Sequence, residues 1–345
     1  AMKMSRQEAN KLARSFEETG QEAASSSQQF NKVADRTEKM NKKFTASSGR
    51  LKVIGRDINK YVTIPLTAFS GAASKFALDF NDSMSKIQAL IPGTGDRIYE
   101  LKNAVMEMSA ETGKTFDDLS KGMYQIVSVF GNSEEAVEQF KVAVKSAKAG
   151  AVSLTETTDL LTAVTRAYGD TSKEAVQKVS DLAHMTVRLG NTTFKDLSGA
   201  MQNATDRAEA MGVSQEELFA SFSALSGVIG DASMVATRFR SVMESLMTPT
   251  DKTAKLIEEM GYDSAKAAIE QEGMLKVLYS VVRASERTGV SLQKYISRTE
   301  GIAFASRLAS SQMGDFVEDL EAMRNASGAT DETFKEVVNG IGYFN

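Results

Sequence analysis

The sequence predicts an all-α protein: an antiparallel helical bundle or helical-hairpin array, preceded by a long, partly coiled-coil N-terminal helix. Only three prolines, at positions 65, 92 and 249, interrupt the 345 residues, so long stretches contain nothing that breaks a helix. From residue 80 onward, a Ser or Thr followed three residues later by Asp or Glu recurs, and a glycine returns about every 20 residues. Between these marks the apolar residues step by three and four, the spacing of one helix face.

The first 60 residues are polar but periodic. Alternating steps of three and four give Phe30, Val33, Thr37, Met40, Phe44, Ser47, Leu51, Ile54, Ile58 and Tyr61, eight of ten apolar. The same seam before Phe30 (Ala9, Leu12, Phe16, Thr19, Ala23, Ser26) is small and polar, and Gly20, Gly49 and Gly55 weaken it. A helix or helical hairpin with frayed early turns, seeking a partner strand, is the expectation. This segment holds 13 Lys/Arg against 7 Asp/Glu, net +6, which leaves −10 on the remainder. A basic arm of this kind can meet nucleic acid or anionic lipid, or simply solvate a helix.

Capping chemistry then sets out the helices in order. The pairs Thr115/Asp118, Ser153/Glu156, Thr171/Glu174, Thr193/Asp196 and Ser214/Glu217 each place a hydroxyl to accept from an orphan amide and an acid to reach back. Gly131, Gly150, Gly169, Gly190, Gly212 and Gly230 are expected to close the same helices, because glycine enters the left-handed conformation without steric cost. The apolar stripes are Phe116, Leu119, Met123, Ile126, Val127 and Phe130; then Leu154, Leu160, Leu161, Val164 and Tyr168; then Phe194, Leu197, Met201, Ala204, Ala208 and Met211. The caps Thr115, Ser153 and Thr193 are 38 and 40 residues apart, the length of two helices and two turns. GNSEEAV at 131–137 is echoed by GDTSKEAV at 169–176. Each reads as a joint, where a glycine ends one helix and polar residues cap the next.

Further on, helices are expected at 231–247, ended by Thr248-Pro249-Thr250, then at 251–261 and 274–287, with residues 262–273 a short irregular segment. Residues 291–345 read as two or three helices with polar joints at 311–315 and 325–331.

Candidate chemistry is sparse. Absence of Cys excludes disulfides, thiolate catalysis and Cys-based zinc sites, and a single histidine, His184, excludes HExxH and other multi-histidine sites. ETGKT at 111–115 ends like a phosphate-binding loop, but Met108 stands where the leading glycine belongs and no strand precedes it. IPGTGDR at 91–97 lacks a third glycine and reads as a turn. Asp181 and His184 lie one helical turn apart and could pair, but without a GxSxG elbow a solvated or half-buried histidine is the simpler reading.

Glu244-Ser245 has the order found in lytic transglycosylases, without their aromatic and glycine-rich continuation; TPTDK follows instead. Adjacent acids such as Glu134/Glu135 read as solvated charges. The 17 methionines fill the helical stripes. No catalytic, cofactor-binding or metal-ligating residue is assigned, and neither an enzyme nor a cofactor is expected. The longest uncharged run near the front, YVTIPLTAFSGAAS at 61–74, is too short to span a bilayer. The polar start AMKMSRQEANK is no signal peptide, and its Ala-Met is expected to be a cloning remnant on a piece of a longer protein.

One ordered set of segments resembles a known family. IPLTAFSGAASKFALDFNDSMSKIQAL (64–90), TGKTFDDLSKGMYQIV (112–127), AGAVSLTETTDLLTAVTRAYGDTSKEAVQKVSDLAH (149–184) and the stretch 192–250, ending in Thr248-Pro249-Thr250, resemble the core of phage tail tape measure proteins. The likeness covers roughly residues 60–310; SRTEGIAFASR at 298–308 departs from the family pattern. It implies a structural virion protein that fills the growing tail tube, sets its length and leaves ahead of the DNA to help genome delivery. Implied partners are the tail tube protein, tail assembly chaperones, distal tail or baseplate proteins and a host inner-membrane or periplasmic protein, with self-association through the N-terminal coiled coil. The implied locations are the tail lumen, the host cytoplasm during assembly and the host envelope on infection. The expected domains are 1–60, a basic coiled-coil segment; 61–310, the tape measure core; and 311–345, the start of a further region. A muralytic or membrane-active tail module and a generic helical-repeat scaffold are the alternative readings.

Overall fold

The computed structural model describes residues 84–90, 95–131 and 135–342, all within the unit Ile58–Asn345. The expected N-terminal coiled coil, the run at 61–74, residues 91–94 of the IPGTGDR turn and Glu134 of the acidic pair lie outside the described residues. Among the described residues the regular structure is helical, without strands, as the sequence predicts.

A helical stretch at 84–90 precedes α1 (Gly95–Thr112), α2 (Phe116–Phe130), α3 (Ala136–Ala149), α4 (Leu154–Ala167), α5 (Lys173–Leu189), α6 (Phe194–Ala210), α7 (Gln215–Leu225) and α8 (Ala232–Met247). Then come α9 (Asp251–Glu259), α10 (Ala265–Glu272), α11 (Met274–Thr288), a 3-10 turn (Leu292–Lys294), α12 (Thr299–Leu308), α13 (Met313–Arg324) and α14 (Ala329–Gly342).

Helices pack on their second neighbours in the chain. The series α2, α4, α6, α8 and α12 forms one run of contacts, and α1, α3, α5 and α7 form another. Consecutive helices from α1 to α8 also touch, so the two runs face each other. The predicted stripes fill the space between them. In α6, Phe194, Leu197, Met201, Ala204 and Ala208 are all buried, as is Met211 at its end; in α4, Leu154, Leu160, Leu161 and Val164 are. Each such aliphatic or aromatic side chain contributes roughly 1.5–3 kcal/mol by leaving water. The last two helices return to earlier ones: α13 lies on α7 and α5, and α14 on α3 and α5.

Most caps form as predicted. Thr115, Ser153, Thr193 and Ser214 each accept from the amide three residues on, and Ser153/Glu156 and Ser214/Glu217 are complete capping boxes. Thr171 is not a cap. Ser172 caps α5 through the Ala175 amide, because Asp170 accepts from the Ser172 N–H at 2.9 Å and shifts the start by one residue.

Gly131, Gly169 and Gly212 adopt positive φ as expected, at 79°, 73° and 71°. Three glycines lack the predicted left-handed helix end, although Gly150 and Gly190 still cap α3 and α5 as expected. Gly150 keeps a helical φ of −79°, and its neighbour Ala151 takes the left-handed position at φ 54°. Gly230 closes no helix, since α7 ends at Leu225 with Ser226 as its cap. Gly190 is extended, and what it supplies is space: a Cβ there would lie 2.8 Å from the Ser223 Cα. Gly301 in α12 does the same against α8, with the Val242 nitrogen 2.8 Å from its would-be Cβ.

Residues 262–273 are more regular than expected. They contain α10, a helix of 8 residues capped by Ser264 and closed by Gly273. Two turns are too short for a stripe to register, and its core contribution is only Ala265, Ala268 and Ile269.

Candidate functional site

The most elaborate polar chemistry in the described residues lies at the joints between hairpins. Glu135, in the SEEAV joint, accepts from the Lys173 N–H in the SKEAV joint at 2.9 Å, so one joint caps the next. One hairpin further along, the Tyr168 hydroxyl donates to the Val213 carbonyl at 2.8 Å. Burial pushes the Tyr168 phenol well above its usual range, and Glu216, Glu217 and Glu209 add to the effect, so it remains a donor. Arg166 donates to the Val129 carbonyl, and Gln139 to the Thr171 carbonyl. The Val129 carbonyl lies in the last turn of α2, where helix carbonyls lack an intrahelical partner, and the Thr171 and Val213 carbonyls lie just ahead of the caps of α5 and α7.

The residues singled out for chemistry serve the same purpose. Gly113 takes φ 68° after α1, Thr115 caps α2, and the Lys114 ammonium donates to the Val152 carbonyl at 3.4 Å. The remnant of a phosphate loop is therefore a helix joint without the strand that a nucleotide site requires. Asp181 and His184 do not pair. Asp181 accepts from the Gly328 and Thr330 amides at 3.0 and 2.9 Å and so caps α14, which the sequence reading missed. His184 is neither solvated nor half-buried. At 4% exposure its ring lies 3.1 Å from Ser146 Oγ and 4.9 Å, centroid to centroid, from Phe194. Burial holds its pKa down at about 4, so the imidazole is neutral at pH 7.

Glu244 is the centre of an ion-pair cluster. Arg298, Arg207 and Arg240 approach it at 3.1, 3.5 and 3.8 Å and tie α8 to α6 and to the residue that opens α12. Ser245 donates to the Ser241 carbonyl within its own helix. A general acid of the transglycosylase type sits in an apolar pocket that keeps it protonated; this carboxylate is clamped between guanidinium groups instead. Among the described residues no group of three His, Asp or Glu is placed to hold a metal ion. No described helix is long and apolar enough to cross a membrane.

The hairpins joined in this way coincide with a known protein family. A family profile described as "Phage-related minor tail protein" matches residues 102–286, which run from α1 into α11. The chain belongs to that family. It is similar to the "Tape measure protein" of Pneumococcus phage Dp-1, with 24% identity over 294 residues, 82% of this chain and 25% of that protein. It is also similar to the "Probable tape measure protein" of Clostridium phage phiCD119, with 22% identity over 310 residues, 89% of this chain and 31% of that protein. This tail protein chain therefore spans about a quarter to a third of the length of the curated relatives it matches. No solved structure matches it. The resemblance to phage tail tape measure proteins is borne out, and the chain has a structural role in a phage tail. Both matched relatives are named as tape measure proteins.

The tail segment carries one acid whose burial has a measurable consequence. Asp319 of α13 accepts from the Ser223 hydroxyl of α7 at 2.6 Å. Burial raises its pKa to about 6, with Asp315 and Glu318 adding repulsion against the opposing pull of the hydrogen bond. Between an unfolded value near 3.8 and a folded value of about 6, the native state binds more protons, so stability falls as pH rises through that window. Asp319→Asn keeps an acceptor for Ser223 and removes the charge. It is expected to stabilise the protein by about 2 kcal/mol at pH 7.5 and not at all at pH 3.5. Urea midpoints at the two pH values check this; equal effects at both would rule out the ionisation account.

Proposed function

We propose that this segment is part of the ruler that sets tail tube length during assembly and is then ejected ahead of the DNA to help genome delivery across the host envelope. The observation that carries the reading is the chain of interlocked hairpins about 38 residues apart, within a segment similar to proteins named as tape measures. A ruler whose length is read from its sequence benefits from units that can be added or removed between equivalent joints. The proposed partners are the tail tube protein, tail assembly chaperones, distal tail or baseplate proteins and a host inner-membrane or periplasmic protein. The region 61–310 is proposed as the ruler's core, with 311–345 leading into the next part of the chain.

Hairpins shorten a chain, whereas a continuous helix advances about 1.5 Å per residue. The free segment is therefore proposed to fold as hairpins and to be rearranged into longer helices inside the tube. Carrying a helix through each joint glycine costs only about 1 kcal/mol. The buried stripes between α1 and α8 are the larger loss, which contact with the tube wall and chaperones has to offset.

Deleting one hairpin in frame, residues 132–170, tests the ruler in the parent phage. Electron microscopy is expected to show tails shorter by about 58 Å, the length of 39 residues at about 1.5 Å each. Infective particles with tails of unchanged length would place the ruler elsewhere in the chain.

A further inference from the structure

Glu244 gathers more positive charge than it cancels. Arg207 Nε lies 3.5 Å and Arg240 Nε 3.8 Å from its Oε1, and Arg298 Nη2 lies 3.1 Å from its Oε2. No other carboxylate among the described residues lies within 4 Å of these guanidinium groups, so two positive charges are left over. Elsewhere the charges are more evenly matched: Lys141 stands between Glu107 and Glu138, and Glu138 between Lys141 and Lys173.

The cluster is also short of acceptors. None of the three approaches to Glu244 is aligned as a hydrogen bond, and none of the three guanidinium groups donates to another group among the described residues. Arg207 Nε is shut off from water and has no acceptor at all. Arg283, by comparison, donates to the Glu286 carboxylate and to the Tyr279 hydroxyl, both at 2.8 Å. A guanidinium group carries five N–H donors in a fixed fork, and here three such forks remain unspent on the protein. Their side chains are about half exposed, so the cluster opens to solvent. Three packed helices hold it in place: Arg207 stands in the last turn of α6, Arg240 and Glu244 one turn apart on α8, and Arg298 just before α12.

We propose that Arg207, Arg240 and Arg298 bind a phosphate dianion beside Glu244, where α6, α8 and the start of α12 meet. The planar fork of arginine suits both carboxylate and phosphate oxygens. Charge selects between them, because one carboxylate cancels a single excess charge and a phosphate dianion cancels both. Charge also argues against a polymer: a nucleic acid would bring its phosphates to residues 61–345, which carry −10. The bound anion ties the three helices together through hydrogen bonds that Glu244 does not supply.

The test is thermal unfolding of the full chain in about 20 mM inorganic phosphate at pH 7.5, against chloride at matched ionic strength. Wild type is expected to gain about 3 °C in Tm, as for a site of roughly millimolar affinity. Arg240→Gln and Arg298→Gln should each lose most of that gain. Glu244→Gln should be less stable than wild type in chloride, because three cations lose their counter-charge, yet gain more from phosphate than wild type does. A cluster with only a structural role has no reason to show that larger gain. An unchanged or smaller gain in Glu244→Gln would therefore overturn the site, as would no gain in wild type or equal gains in wild type and both arginine variants. Acetate and dimethyl phosphate carry one charge each and should give less than half of the phosphate shift. An equal shift with acetate would overturn the dianion in favour of a carboxylate, and an equal shift with dimethyl phosphate in favour of a phosphodiester. Should a variant fail to fold, phosphate titrated into wild type should move three arginine Nε–Hε NMR signals with one common Kd, and an unmoved spectrum would count against the proposal.

Discussion

Gly301→Ala is expected to destabilise the full chain by about 3 kcal/mol, although alanine has the higher helix propensity. Gly301 lies in α12 against α8, and its would-be Cβ meets backbone: the Val242 nitrogen at 2.8 Å, the Val242 Cα at 2.9 Å and the Ser241 carbonyl carbon at 3.1 Å. Backbone inside a buried helix cannot rotate aside as a side chain can, so α12 has to move outward and loosen the Phe239–Phe304 edge-to-face pair, whose centroids are 5.6 Å apart. Gly199→Ala provides the opposite case. Gly199 is exposed in α6 and has nothing within 4 Å of a Cβ, so alanine there should stabilise by about 0.5–1 kcal/mol. Urea denaturation of both variants gives the comparison. Shifts of the same sign would mean that helix propensity, not backbone approach, governs these glycines.

Glu217→Ala should cost about 3 kcal/mol, because one carboxylate completes two helix starts. One of its oxygens accepts from the Ser214 amide in the capping box of α7, and the other accepts from the Met274 N–H at 2.7 Å. Met274 opens α11, whose own cap position, Gly273, has no side chain to offer. Glu217 is 7% exposed, and its loss leaves the buried Met274 amide without an acceptor and the more exposed Ser214 amide to water. Glu217→Gln retains one acceptor oxygen and should recover the stability of one of the two helix starts. Amide hydrogen exchange separates the contributions: the Met274 amide should lose protection together with the start of α7. Protection retained at Met274 in Glu217→Ala would show that water or another group replaces the carboxylate.

Much of this architecture was legible because capping and helix periodicity are local. Thr115, Ser153, Thr193 and Ser214 are caps for reasons contained within four residues, and the stripe of α6 is buried residue for residue as its spacing predicts. What could not be read locally was the use of a residue by a distant segment. Asp181 looked like a possible partner of His184, one turn away, yet it caps α14, nearly 150 residues later. Glu135 looked like a solvated acid and instead caps α5. Gly190 is the helix end it looked like and Gly301 lies in a segment that departs from a pattern; both are in addition points where two backbones meet. The short α10 escaped because eight residues give periodicity too little to act on.

The return of α14 onto α3 and α5 also has a consequence in time. Lys145 of α3 meets Asp331 of α14 across 186 residues of sequence, and its ammonium lies 5.8 Å from the centre of the Phe334 ring. During synthesis at about 5–20 residues per second, the outer side of α3 leaves the ribosome roughly 10–40 s before the helix that covers it. For that interval the nascent hairpins can fold on one another but lack their last cover. The interval comes from the order of the chain itself, and for its duration the outer sides of α3 and α5 are open to whatever else is in solution.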